Sequence, residues 1–209
     1  MEKQQVFYIH GGESFENRED FINRLKTAEL WHLPKEDEEE SKGKWTSHLA
    51  EDLGSDFEVI MPPMPNKQNA RFDEWSIWFE RHFEYVKGSP ILIGCSLGAM
   101  FLAKYLTHNN LQFRPKAVFL IAGAYNIPGF DDAVSCRDFL VDTDSIKTVA
   151  DKTDKLVIIH SKDDFVVPYE HGLALSASIP EAEFITFEDK NHFLIEEFPE
   201  LLEKIREVG

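Results

Sequence analysis

Short runs of consecutive apolar residues alternate along the chain with longer stretches in which apolar positions recur at helical spacing. The short runs fall at Val6–His10, Glu58–Met61, Ile91–Gly94, Ala117–Ala122, Leu156–His160 and Glu183–Phe187. Most are unbroken stretches of Val, Ile, Leu and Phe, the pattern of strands covered on both faces. The longer stretches predict helices over Phe15–Leu30, Trp45–Leu53, Phe72–Val86, Leu97–Thr107, Tyr169–Ser178 and Phe198–Glu207. Pro168 and Pro199 stand where the first turn of a helix tolerates a missing amide. The rhythm is that of repeated βα units around a mostly parallel sheet of about six strands.

The chain has 209 residues, 43% of them hydrophobic, enough for one buried core and too few for two ordinary domains. A single domain over residues 1–209 is expected. Glu36, Asp37, Glu38, Glu39 and Glu40 form a like-charge block that predicts a solvated loop. The net charge of −16 has the wrong sign for neutralising phosphates, so nucleic acid and anionic membrane surfaces are excluded as partners. The longest nearly apolar stretch, Ile91 to Ala103, is 13 residues long and is interrupted by Gly94, Ser96 and Gly98. A membrane-spanning helix needs about 20. Met1 to Gln5 run straight into the first strand without the features of an export signal. With only Cys95 and Cys136 as thiols, a reducing, cytoplasmic location is expected.

The segment that carries chemistry is Gly94-Cys95-Ser96-Leu97-Gly98, preceded by a buried strand and followed at once by a helix. A shuffled chain of this composition holds roughly 0.03 Gly-x-Ser-x-Gly pentapeptides, before strand and helix are required. A serine on a tight strand-to-helix turn needs neighbours without side chains, because a Cβ there collides with the adjoining elements. The turn also sets Ser96 at the helix N-terminus, where backbone amides favour developing negative charge. The Leu97 N–H is then one oxyanion donor. The loop after the first strand, His10-Gly11-Gly12-Glu13, supplies the second, with Gly12 N–H the first choice and Glu13 N–H the reserve.

A serine hydroxyl requires a base, and the base requires an orienting acid. Asp163 and Asp164 follow the strand Leu156–His160, and His192 follows the strand Glu183–Phe187 with Asp189 on its own loop. His10 and His160 close strands, and His32, His48, His82, His108 and His171 lie in or beside helical segments. His192 is therefore the base candidate. Parallel strands bring the three loops to one edge, where open α/β sheets bind ligands.

With Gly94-Cys95-Ser96-Leu97-Gly98, Asp164-x-x-Val167-Pro168 and Asn191-His192-Phe193 in this order, the chain resembles the α/β-hydrolases. More narrowly it resembles their small lidless group, that of the YdeN-like bacterial proteins and the vertebrate retinoblastoma-binding serine hydrolase. Trp75-Ser76-Ile77-Trp78 is a further family-like feature. The resemblance implies a three-layer αβα sandwich and selects Asp164, which precedes x-x-Val-Pro, over Asp163. Two departures stand out: Cys95 occupies a position that is often histidine, and Glu13–Lys44 is longer than usual, enough for an extra helix overhanging the site. A Leu-x-Cys-x-Glu motif is absent, so the retinoblastoma partner is not carried over.

The segment Gly123–Lys155, where larger hydrolases insert a lid, offers little cover, and Phe165, Tyr125, Met64, Phe193 and Trp31 are candidates to line an acyl pocket. The expected function is a serine hydrolase that cleaves a small carboxylic ester or related acyl bond through Ser96, Asp164 and His192, with no metal or cofactor. The alternatives are a thioesterase, amidase or acyltransferase with the same residues, or a non-catalytic interaction module on the same fold.

Overall fold

The computed structural model describes residues 2–28, 43–127 and 136–209. The strands are β1 (Gln4–Ile9), β2 (Phe57–Ile60), β3 (Ile91–Cys95), β4 (Ala117–Ile121), β5 (Leu156–Ser161) and β6 (Glu183–Phe187). They form one fully parallel sheet in the order β2-β1-β3-β4-β5-β6. The helices are α1 (Arg18–Thr27), α2 (Trp45–Leu53), α3 (Phe72–Arg81), α4 (Leu97–His108), α5 (Thr143–Ile146), α6 (Tyr169–Ser178) and α7 (Pro199–Val208).

Side chains alternate across each strand, so successive residues feed two separate cores. Phe7, Ile9, Leu92, Val118, Leu120 and Ile158 face α3, α4 and α6, while Val6, Tyr8, Ile93, Phe119, Ile121 and Ile159 face α2 and α7. The result is a three-layer αβα sandwich. The chain runs outward from β1 to β2 on one side and from β3 to β6 on the other, which puts a topological switch point between β1 and β3. Among the described residues, no helix is long and apolar enough to cross a membrane.

All six expected strands are present, within two residues at each end. The first helix is shorter than the predicted Phe15–Leu30: Ser14 pairs with Cys136 in an isolated bridge, and Asn17 caps α1 by accepting from the Asp20 N–H at 3.0 Å. Leu30, Trp31 and the acidic block Glu36–Glu40 lie outside the described residues. The predicted helix Phe72–Val86 divides after Arg81, where the ladder tightens into a 3₁₀ turn over His82–Tyr85. That turn carries Phe83 edge-on to Phe113 at 5.2 Å. Between Gly123 and Lys155, α5 and 3₁₀ turns at Arg137–Phe139 and Lys147–Lys152 pack Phe139, Ile146 and Val149 onto the core beside α4.

Helix α4 lies close against the sheet because two glycines allow it. A Cβ on Gly94 would stand 2.4 Å from the Gly98 carbonyl oxygen, and one on Gly98 would stand 2.1 Å from the Ile9 oxygen and 2.8 Å from the His10 oxygen. All of these obstructions are backbone atoms, which cannot rotate away. Gly98→Ala is therefore expected to cost about 3 kcal/mol or more by urea denaturation, or to prevent folding. A wild-type-like transition would show that the helix can lift from β1 without penalty.

Candidate active site

Ser96 follows β3 with φ 56° and ψ −121°, a left-handed conformation that a non-glycine residue holds only when its surroundings over-determine it. Its N–H donates to the Ile121 carbonyl at 2.8 Å, and its carbonyl accepts from Ala99 and Met100 at 2.9 and 3.2 Å. The backbone is thus fixed to β4 on one side and to α4 on the other. Ser96 caps α4 without a side-chain hydrogen bond, so its hydroxyl is not engaged in holding the helix. The Leu97 N–H, at the first helical position, precedes the intrahelical ladder.

The loop after β1 approaches from the other side of the switch point. A Cβ on Gly11 would meet Ser96 Cβ at 3.1 Å, and one on Gly12 would meet the Lys67 carbonyl oxygen at 2.5 Å. His10 anchors the loop: its Nδ1 lies 2.7 Å from the Gly11 carbonyl, and its Nε2 accepts from the Met64 N–H at 2.9 Å. Nδ1 therefore carries the hydrogen. Burial lowers the His10 pKa, as does the charge of Lys67, while the bond to Gly11 opposes them. The reserve oxyanion donor is corrected here: the Glu13 N–H donates to the Lys67 carbonyl at 2.9 Å and is committed to the fold.

Asp164 and His192 meet on the far side. His192 Nδ1 lies 2.8 Å from Asp164 Oδ2 and 3.0 Å from Oδ1, and Oδ1 also accepts the Val166 and Val167 amides at 2.9 Å each. Burial would raise the Asp164 pKa, but the nearby His160 Nε2–H at 3.4 Å and the hydrogen bonds from His192 and the Val167 amide outweigh it and hold the carboxyl well below the usual range. Asp163 instead accepts from the Asn191 N–H at 2.8 Å and from Ser161 at 2.6 Å, tying the loop of His192 to β5. The two adjacent carboxylates divide the task, one orienting the ring and the other its loop.

His192 sits between two left-handed residues, Asn191 with φ 44° and Phe193 with φ 55°. Asparagine tolerates this conformation, whereas phenylalanine does not unless packing holds it. The Phe193 ring stacks on Phe198 at 5.2 Å, and its carbonyl accepts the Trp45 indole N–H at 3.1 Å. The imidazole is thus held at a strained bend by a buried aromatic cluster. Ser96 and His192 are not hydrogen-bonded to each other in this structure; in unliganded sites such contacts are commonly long and tighten when substrate arrives.

A cavity of about 130 Å³ opens at Ser96, lined by Gly12, Glu13, Leu97, Met100, Ala124, Cys136, Val166, Val167, Pro168 and His171. None of the described pocket candidates lines it. Met64, Tyr125 and Phe193 are buried in the core, Phe165 is 73% exposed, and Trp31 is outside the described residues. Besides residues of the motifs themselves, the walls include Ala124, Cys136, Met100 and His171, and the last two read as ordinary helix positions in the sequence. Helix α1 reaches the rim through the Arg24–Glu13 ion pair at 2.7 Å. Cys95, 9% exposed, faces away with Tyr8, and burial pushes its thiol up to about 12 despite the hydrogen bond from Tyr8.

The sheet order, the helices on both faces and the serine turn after β3 define an α/β-hydrolase fold. The chain belongs to the serine hydrolase family, whose model matches residues 38–207. Among solved structures it is similar to the ydeN gene product of B. subtilis, with 19% identity, a TM-score of 0.67 and coverage of 99% of this chain and 98% of that one. It is also similar to CarC, a serine hydrolase involved in carbazole degradation, with 15% identity, a TM-score of 0.65 and coverage of 99% and 91%. A third is CumD, a meta-cleavage product hydrolase of Pseudomonas fluorescens IP01, with 17% identity, a TM-score of 0.62 and coverage of 99% and 90%. These likenesses concern the fold. No curated protein sequence matches the chain.

Two outcomes follow from the electrostatics. At pH 8 the folded protein should leave Cys95 unalkylated by iodoacetamide over hours and modify it only after unfolding, as read by peptide mapping; rapid modification would contradict the buried, protonated thiol. Asp164 ionises below the ordinary value of about 3.9, so its stabilising contribution is full above that value and is lost as pH falls toward the folded one. The melting-temperature gap between wild type and Asp164→Asn should therefore narrow from pH 5 to pH 3. A gap independent of pH would place the effect elsewhere.

Proposed function

We propose that the protein hydrolyses a small carboxylic ester or related acyl bond through an acyl-Ser96 intermediate, acting as a carboxylesterase-like enzyme in the cytoplasm. The observation that carries this reading is the strained Ser96 turn, which lines one cavity with Gly12 and Leu97 while Asp164 and His192 are paired on the neighbouring loops. Ser96 Oγ attacks the substrate carbonyl as His192 Nε2 takes the hydroxyl proton. The C–O π electrons move onto oxygen, and that oxyanion is held by the Gly12 and Leu97 N–H groups. Collapse expels the alcohol, which leaves with the proton from His192. Water then repeats the sequence on the acyl-enzyme and releases the acid. Asp164 stays ionised throughout and keeps the His192 Nδ1–H directed at itself. No step calls for a metal or cofactor.

The cavity size supports a compact acyl group. A cavity of 150 Å³ admits a benzene ring, and the space at Ser96 is slightly smaller.

Fluorophosphonate labelling tests the assignment. One adduct on Ser96 is expected in wild type, none in Ser96→Ala, and labelling slowed by roughly 10²–10⁴-fold in His192→Ala. Ser96→Ala should retain the wild-type melting transition with no turnover of 4-nitrophenyl acetate, and wild-type activity should rise from acid to neutral pH as the base loses its proton. Full activity in Ser96→Ala, or no adduct on folded wild type, would overturn the reading and favour a non-catalytic module. A flat pH profile would require a different base.

A further inference from the structure

Asp164 has a second histidine beside it. His160 is the fifth of the six residues of β5, it is 1% exposed, and its Nε2 lies 2.9 Å from the Val167 carbonyl oxygen and 3.4 Å from Asp164 Oδ2. Both neighbours are acceptors only when the carboxylate is ionised, so Nε2 must carry a hydrogen. The ring cannot turn away. Helix α6 presses on it at Gly172, where a Cβ would stand 2.7 Å from Nδ1 and 2.9 Å from Cγ, and Tyr169 covers it edge-on at 6.0 Å.

An ionised carboxylate offers about four lone-pair positions. On Asp164 four groups face them: the Val166 and Val167 amides on Oδ1, His192 Nδ1 on both oxygens, and His160 Nε2 on Oδ2. Oδ2 is the oxygen nearest to His192, and His160 is the other side chain directed at it. The 164–167 turn already has two amide bonds to hold its shape, so closing that turn does not require His160.

We propose that His160 is a positioning residue for the reaction: its Nε2–H, donated to the Val167 carbonyl, also stands 3.4 Å from Asp164 Oδ2 and draws charge from the oxygen that orients His192. The proposal rests on the assignment of His192 as base. Without the His160 hydrogen, negative charge concentrates on Oδ2, the protonated form of His192 gains stability, and the base surrenders its proton less readily. The direction is therefore an acid limb moved to higher pH. The other titratable groups around the ring are Tyr169, whose hydroxyl pairs with Thr186; His171, which accepts from the Tyr125 N–H; and Asp163, held by Ser161 and Asn191. Their bonds are satisfied elsewhere, and substitution of His160 leaves them in place.

The test is the pH dependence of kcat/KM for 4-nitrophenyl acetate in wild type, His160→Leu and His160→Gln, each as the full chain. In His160→Leu the acid limb should move up by roughly half a pH unit, with kcat lower by about tenfold, less than the loss of a general base costs, and KM little changed. In His160→Gln an amide N–H is available to the Val167 carbonyl beside Oδ2, and the limb should return to its wild-type position. A role confined to packing would lower the melting temperature and alter KM through Val167, which lines the cavity, without moving the limb; that result overturns the proposal. Should His160→Leu fail to fold, His160→Gln and Gly172→Ala decide. Gly172→Ala pushes the ring off Asp164 and should move the limb upward as His160→Leu would, and an unmoved limb overturns the proposal. Fluorophosphonate labelling of wild type separates the two levels: no adduct overturns the site reading and this proposal with it, whereas labelling with an unmoved limb overturns only the role of His160.

Discussion

The contact on which the arrangement depends is the backbone-to-backbone approach of helix α4 to strands β1 and β3. It is made possible by the missing side chains at Gly94 and Gly98. Because the helix begins immediately after the strand, the chain must reverse within one residue, and that residue is Ser96 in a left-handed conformation. The strain is local, and the interactions that hold it are not. They are the Ile121 carbonyl on β4, the first bonds of α4 and the nine buried residues by which α4 joins the core. The same approach brings the Gly11–Gly12 loop against Ser96. Lifting the helix would therefore relax the serine and separate the two candidate oxyanion amides at once.

A second strained point faces the first. His192 stands between Asn191 and Phe193, both left-handed, and the packing of the Phe193 ring against Phe187 and Phe198, with the Trp45 indole N–H on its carbonyl, compensates for the unfavourable backbone. The long connection between β1 and β2 thus contributes to the site from a distance, since Trp45 on α2 holds the carbonyl of the residue after the histidine. The edge of the sheet works as two sprung loops, each clamped by a different core: the one beneath α4 for Ser96, and the one beneath α2 and α7 for His192.

The sheet was legible in the sequence because most of its strands leave unbroken apolar runs, and a mostly parallel sheet of about six strands follows from their alternation with amphipathic helices, whereas the strand order does not. That an aspartate of the Asp163–Asp164 pair would meet His192 was legible because both loops follow strands at one edge, and the x-x-Val-Pro resemblance singled out Asp164. The residues that surround those positions were not. Phe139, Ile146 and Val149 anchor pieces of three to six residues, too short for a helical period to register. Met64 and Phe193 carried the composition of pocket residues, but the loop after β2 and the bend at His192 place them in the core. The Glu13 amide failed as an oxyanion donor for a reason invisible in one dimension, since its partner is a carbonyl 54 residues away. His160 lies near the end of a buried strand, and only the fold reveals that the residue four positions later turns its carboxylate back toward it.

Environment also decides between two adjacent nucleophiles. Cys95 is intrinsically the more acidic, and at an exposed turn its thiolate would compete with the serine hydroxyl. Here strand alternation points it into the core beneath α2, where burial keeps it protonated and outweighs the hydrogen bond from Tyr8, with smaller opposed contributions from the charges of Asp164 and Lys44. Under the proposed mechanism Ser96 needs no such ionisation, since it would lose its proton only while attacking, to a base that Asp164 already orients. The carboxylate therefore acts in two directions. In the proposed mechanism it favours the charged form of His192 during the reaction, and it adds a minor push against the charged form of Cys95, which burial disfavours most.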